Sequence, residues 1–195
     1  MKTNKTKNGL IVSPTLQTII LTVVFGIAFA LVEAAIVIYL RKLFGIDGNY
    51  ELPIPTKEDI MVALPHFVVL KSIWGKTIIP QANILYIELM REAATIIMLA
   101  TVGILAARHW WQRLGVFLIA FGIWDIFYYV FLYLFLGWPP TLKTYDVLFL
   151  IPGPWIAPVW LPILISIVMI CLGCYLVATP NIATKISVFR SSRSK

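Results

Sequence analysis

Charge is scarce in this chain. Lys and Arg number 16 and Asp and Glu nine among 195 residues, 13% in all, against roughly 25% in an ordinary soluble domain. Histidine and cysteine are scarcer, with two of each, too few for a framework of several disulfides. The common catalytic signatures are missing too. The chain holds no P-loop, no Gly-rich dinucleotide turn, no HExxH and no Gly-x-Ser-x-Gly, and each of those chemistries depends on its spacing. No low-complexity tract is present.

Apolar residues fill the space: 60% are hydrophobic and the mean hydropathy is +0.89. A 22 kDa chain buries too small a share of its surface to hide that much apolar area in one core. A soluble enzyme, a disordered chain and a collagen-like fibre are excluded, and an integral membrane protein remains.

A membrane-crossing helix needs about 20 mostly apolar residues. Four runs qualify, at about 16–40, 83–107, 114–137 and 155–178. They are too long and too evenly apolar for the ten-residue alternation of a transmembrane β-barrel. The expected fold is an all-α, four-span helical bundle forming a single membrane domain over 1–195. The first run is longer than a signal-peptide core and ends in Tyr39-Leu40-Arg41-Lys42 without small residues, so it reads as a retained anchor.

Basic residues set the expected orientation. Lys2, Lys5, Lys7, Arg108, Arg113, Lys185, Arg190, Arg193 and Lys195 fall on one side of a four-span chain. Arg41, Lys42, Lys57, Lys71, Lys76 and Lys143 fall on the other, diluted by Asp47, Glu51, Glu58, Asp59 and Asp146. Both termini are therefore expected in the cytoplasm of a plasma-membrane protein, with 179–195 as a basic tail. Arg41 and Lys42 run against this bias. The net charge of +7 suits anionic lipid headgroups; no basic, aromatic stripe suggests nucleic acid. Trp110, Trp111, Trp138, Trp155 and Trp160 lie near span ends, where indoles favour the interface. Trp124 lies deep in the third span.

Two connections stand out. In the outer loop at 41–82, Thr56 and Asp59 have the spacing of a helix-start signature. The apolar stretch Ile60–Leu70, half the length of a span and interrupted by Pro65, reads as an interfacial or re-entrant segment. Between Trp138 and Pro162 lie six of the 12 prolines. Phe149–Trp155 is apolar but cannot be regular helix, because Pro152 and Pro154 remove backbone donors. It is either a lid over an outward-facing cavity or a tight loop entering a kinked fourth helix. A short echo, Glu33–Ile38 against Glu92–Ile97, is too weak to establish an internal repeat.

Four acids and one arginine fall within the spans: Glu33, Glu88, Arg91, Glu92 and Asp125. Each costs about 2.5–3.5 kcal/mol on insertion scales, so such residues seldom face lipid. At 1.5 Å per residue, Glu33 lies roughly 10 Å, Glu92 roughly 13 Å and Asp125 roughly 18 Å from the outer span ends. Glu88, Glu92 and Thr95 share a helix face with Arg91 at its border. Tyr128 and Tyr129 lie one turn from Asp125, and Gly26 and Ala30 precede Glu33 at spacings that allow close helix approach. The expected site is Glu33, Glu88, Arg91, Glu92, Asp125, Tyr128 and Tyr129. It is a site for a proton, a cation or a cationic substrate group, a structural network fixing the bundle, or a metal or catalytic site.

Glu88 is followed at i+3 by Arg91 rather than His, so the di-iron pattern fails, and neither His66 nor His109 lies inside a span. No metal and no cofactor are expected. Cys171 and Cys174 form a C-x-x-C pair in the fourth span. In this the chain resembles the vitamin K epoxide reductases, which are also four-helix membrane proteins; those enzymes need a second cysteine pair, which this chain lacks. Small apolar packing is the better account of the two thiols. Three functions stay open: a proton- or cation-coupled transporter or transporter subunit, a non-catalytic subunit of a larger membrane complex, and a membrane enzyme acting on lipid or quinone. Four spans are few for a transport path, which suggests a homo-oligomer or a larger complex.

Overall fold

The computed structural model describes residues 13–45 and 55–179. Lys2, Lys5, Lys7, Asp47, Glu51 and the basic residues of the C-terminal tail lie outside the described residues. Four helices are long and apolar enough to cross a membrane: α1 (Pro14–Leu43), α3 (Ala82–Ala106), α4 (Trp110–Leu136) and α5 (Trp160–Ala178). A one-turn helix, α2 (Gly75–Ile78), precedes α3. The ends of the spans follow local chemistry. Ser13 caps α1 by accepting from the Leu16 N–H at 3.2 Å, with Pro14 behind it, where a missing N–H costs nothing. Gly137 ends α4 in the left-handed region at φ 64°, which glycine adopts without a Cβ clash.

α4 is the central post: α1, α3 and α5 each pack against it, while α1 and α3 have little direct approach to one another. Ala30, Leu99, Ala120 and Trp124 form one buried cluster, and Ala34, Tyr129, Leu132, Trp138 and Val159 form another. Small residues set the crossings. A Cβ on Gly115 would lie 2.8 Å from the Gly173 carbonyl oxygen, so α4 and α5 meet backbone to backbone. Gly26 likewise lets α1 settle against Ile123 of α4.

The largest departure from expectation is β-structure. The strands β1 (Ile60–Leu64), β2 (Phe67–Leu70), β3 (Tyr145–Phe149) and β4 (Trp155–Pro158) form one antiparallel sheet in the order β1-β2-β4-β3. The Ile60–Leu70 stretch, expected as an interfacial or re-entrant segment, is the β1–β2 hairpin. Pro65 and His66 supply its turn, with His66 at φ 63°. Thr56 and Asp59 do form the anticipated reciprocal cap, but over a single 3-10 turn, Lys57–Asp59. The proline-rich connection is the β3–β4 hairpin, and α5 begins at Trp160 rather than near Trp155 because Trp155–Pro158 pairs as β4. Prolines that forbid helix are compatible with a short strand and its turn.

The two hairpins come from different connections, one between α1 and α3 and one between α4 and α5. They join where Val68 pairs with Ile156 and Val69 with Trp155. The Leu70 N–H also donates to the Pro154 carbonyl at 2.9 Å. Both connections therefore lie at one end of the bundle, and the tight α3–α4 turn lies at the other.

Candidate functional site

One cavity of about 200 Å³ opens beneath the sheet, walled by α1, α3 and α4 and roofed by β3 and the residues that follow it. All seven residues expected from the sequence line it: Glu33, Glu88, Arg91, Glu92, Asp125, Tyr128 and Tyr129. Helical periodicity brings them there. Glu88, Arg91, Glu92 and Thr95 face one way on α3, and Trp124, Asp125, Tyr128 and Tyr129 lie within two turns of α4.

Arg91 joins two helices. Its Nε and Nη2 donate to Glu88 Oε2 at 2.9 and 2.7 Å, and its Nη1 donates to Glu33 on α1. Glu33 and Glu88 are only 3% and 5% exposed, a burial that carboxylates tolerate only when paired and hydrogen-bonded. The Thr95 hydroxyl completes the cluster by donating to Glu33 Oε1 at 3.0 Å. Where direct packing between α1 and α3 is slight, this cluster bridges them.

Glu92 points to the roof. Its two oxygens accept the Leu150 and Ile151 N–H groups at 2.7 and 3.1 Å. A carboxylate thus holds the turn of the β3–β4 hairpin through charge-assisted bonds. Asp125 accepts from the Ser166 hydroxyl of α5 at 2.7 Å, and the Tyr129 hydroxyl donates to Asp146 at 3.0 Å.

Four further residues belong to the site and were not anticipated there. Asp146 and Arg41 had been counted only as connection charges, but both line the cavity. Burial pushes the Asp146 carboxyl up to about 6, against the opposing pull of the nearby Arg41 charge and the Tyr129 hydroxyl. The Arg41 guanidinium lies 3.8 Å from the centre of the Trp138 ring, a cation–π contact. Trp124 lines the cavity, and Ser166 touches it through Asp125. Two buried donors there, Arg41 Nη1 and Trp124 Nε1, have no acceptor among the described residues.

The chain matches no family model, no curated protein and no solved structure.

Among the described residues, no three His, Cys, Asp or Glu side chains come together as a group that could hold a metal ion, because the cavity acids are drawn to different partners. His66 stands edge-on to Trp160 at 5.7 Å, outside the cavity lining. His109 precedes α4 at the opposite end. Cys171 is exposed and Cys174 half-buried on α5, the latter packed beside Val116, Ile119 and Val177. Neither thiol lines the cavity. What the arrangement can do is hold positive charge: five carboxylates face two guanidinium groups around one small space.

Proposed function

We propose that this chain is a small membrane transporter, or a subunit of one, whose carboxylate-lined cavity takes up a proton or a cationic group. The observation that carries the proposal is the formal excess of three negative charges around the cavity when Glu33, Glu88, Glu92, Asp125 and Asp146 are set against Arg41 and Arg91. In a low-dielectric site such an excess attracts cations and favours proton uptake. Asp125 is the proposed exchanging group, since it is held by a neutral hydroxyl rather than by a guanidinium.

In this reading the sheet end faces outward and both termini face the cytoplasm of the plasma membrane, supported by the basic residues of the α3–α4 turn and of the two ends of the sequence. β1, with Met61, Val62 and Leu64 exposed, rests at the outer lipid interface, as apolar side chains favour. A four-span unit works as a homo-oligomer or beside a larger partner.

A second reading, a non-catalytic subunit of a larger membrane complex, has its own support: the Arg91–Glu33 and Asp125–Ser166 contacts each tie two helices together, as packing polar groups do in membranes. Asp125→Asn separates the two. It is nearly isosteric, keeps an acceptor for Ser166 and cannot ionise. In liposomes containing a pH-sensitive dye, the transporter reading expects pH-dependent proton or cation flux to fall at least tenfold while helical content and oligomeric state stay unchanged. Loss of assembly supports the subunit reading. Unchanged flux with unchanged assembly refutes the assignment of Asp125.

A further inference from the structure

The cavity's donors narrow the class of ligand. A bare cation offers no acceptor to Arg41 Nη1, which is buried without one, and it is repelled by the Arg41 charge. Leaving a buried donor unmade is costly, most of all on a guanidinium, whose fork matches phosphate and carboxylate oxygens. Trp124 is 8% exposed and packs with Ala30 and Leu99 towards the cavity floor. Arg41 lies three helical turns from Ala30 along α1, about 16 Å away, at the sheet-end mouth. Arg91 is already committed to Glu33 and Glu88. Arg41 makes no salt bridge among the described residues, and the nearby Asp146 is engaged by Tyr129.

Between mouth and floor lie the carboxylates, and near the mouth lie Val37, Leu40 and Phe44 of α1 and Ile78 and Ile79 before α3. The space has acceptors for a cation, donors for an anion and an apolar wall. At about 200 Å³ it falls below the roughly 300–1,000 Å³ of sites for drug-sized molecules, so it suits a headgroup rather than a whole lipid. The seam between α1 and α3, where direct packing is slight, is the approach from the membrane side.

We propose that the cavity binds a zwitterion, an ammonium group joined by a short link to a phosphate, with the ammonium among the carboxylates and the phosphate on Arg41. This rests on the cation-site reading above and gives that site its ligand class. The chemistry has two sources, the headgroup of phosphatidylethanolamine and free phosphoethanolamine.

The test uses the full chain in nanodiscs, titrated calorimetrically with ethanolamine, inorganic phosphate and phosphoethanolamine. In parallel, detergent-solubilised protein is examined by native mass spectrometry for retained phosphatidylethanolamine against phosphatidylglycerol and phosphatidic acid. Phosphoethanolamine is expected to bind at least tenfold more tightly than ethanolamine or phosphate, or phosphatidylethanolamine to be retained at least tenfold over both anionic lipids. The first result alone assigns the soluble source, and the second assigns the lipid. Arg41→Gln is expected to reduce the preferred ligand to the level of its singly charged counterpart. Arg41→Lys keeps the charge and the stem but loses the fork; it is expected to weaken that ligand about threefold and leave ethanolamine unaffected, which keeps the test decisive should Arg41→Gln fail to fold. The proposal is overturned if neither zwitterion exceeds its singly charged counterparts, or if both Arg41 variants bind as the parent does. Ethanolamine binding would then leave the cation-site reading standing. If no amine-bearing probe binds, both readings fall.

Discussion

Replacing Arg91 with Gln is the sharpest structural test of the polar cluster. Arg91 is the only charged group bonded to Glu33 and Glu88 among the described residues, and both carboxylates are nearly fully buried. Arg91→Gln leaves two buried acids without a counter-charge. Breaking a buried pair by removing one partner costs about 3–5 kcal/mol, whereas an exposed pair is worth about 0–1 kcal/mol. The Arg91 side chain keeps 25% of its exposure, so the lower end of the buried range applies, about 3 kcal/mol, or roughly two powers of ten in the unfolding constant. The assay is reversible unfolding in mixed micelles at neutral pH, followed by the fluorescence of the seven tryptophans. Neutralising Glu33 and Glu88 to Gln together with Arg91→Gln should recover the loss to within about 1 kcal/mol, since a fully neutral set carries no stranded charge. A loss below about 1 kcal/mol for Arg91→Gln alone would show that water screens the cluster, and the protein-walled cavity would have to be abandoned.

Two further outcomes follow from the roof. Glu92→Gln keeps one acceptor oxygen where the hairpin turn uses two, at a cost of about 1.5–3 kcal/mol for the lost charge-assisted bond; hydrogen exchange at the Leu150 and Ile151 amides should accelerate at least tenfold, and unchanged protection would mean that the turn is held by packing alone. Asp146 has a folded pKa of about 6 against an ordinary 3.8, so the folded state binds its proton more tightly than the unfolded state does. Its contribution is therefore fully present below about pH 4 and is lost as pH rises to about 6, by at most about 3 kcal/mol; Asp146→Asn should flatten that part of the stability–pH curve, and an unaltered slope would place the carboxyl in water.

The spans were legible because twenty apolar residues in a row admit few alternatives, and the seven cavity residues because buried charge at helical spacing is rare. The sheet was not. Phe67–Leu70 and Trp155–Pro158 are each too short to announce a strand, and what makes them strands is pairing, each with its own hairpin partner and the two with each other from distant parts of the sequence. Pro152 and Pro154 excluded helix without saying what replaced it. Arg41 was missed because it sits just beyond a span and Asp146 because it lies in the middle of a connection, both places where charge is ordinary. The alternation Tyr145-Asp146-Val147 was the one local hint that Asp146 belonged to a strand. Ser166, a lone hydroxyl among apolar residues of α5, gave no sign in the sequence that it serves Asp125.

The split origin of the sheet bears on biogenesis. β2 is synthesised before α3, but its partner β4 emerges only after α4 is complete. Until then the turn that satisfies Glu92 does not exist, and neither does the strand that carries Asp146. By that point Glu33, Glu88 and Arg91 have been synthesised, but the segment that roofs them has not. The roof is thus completed only after α4 has been made, and the order of synthesis leaves this acidic chamber open on that side until the second hairpin follows.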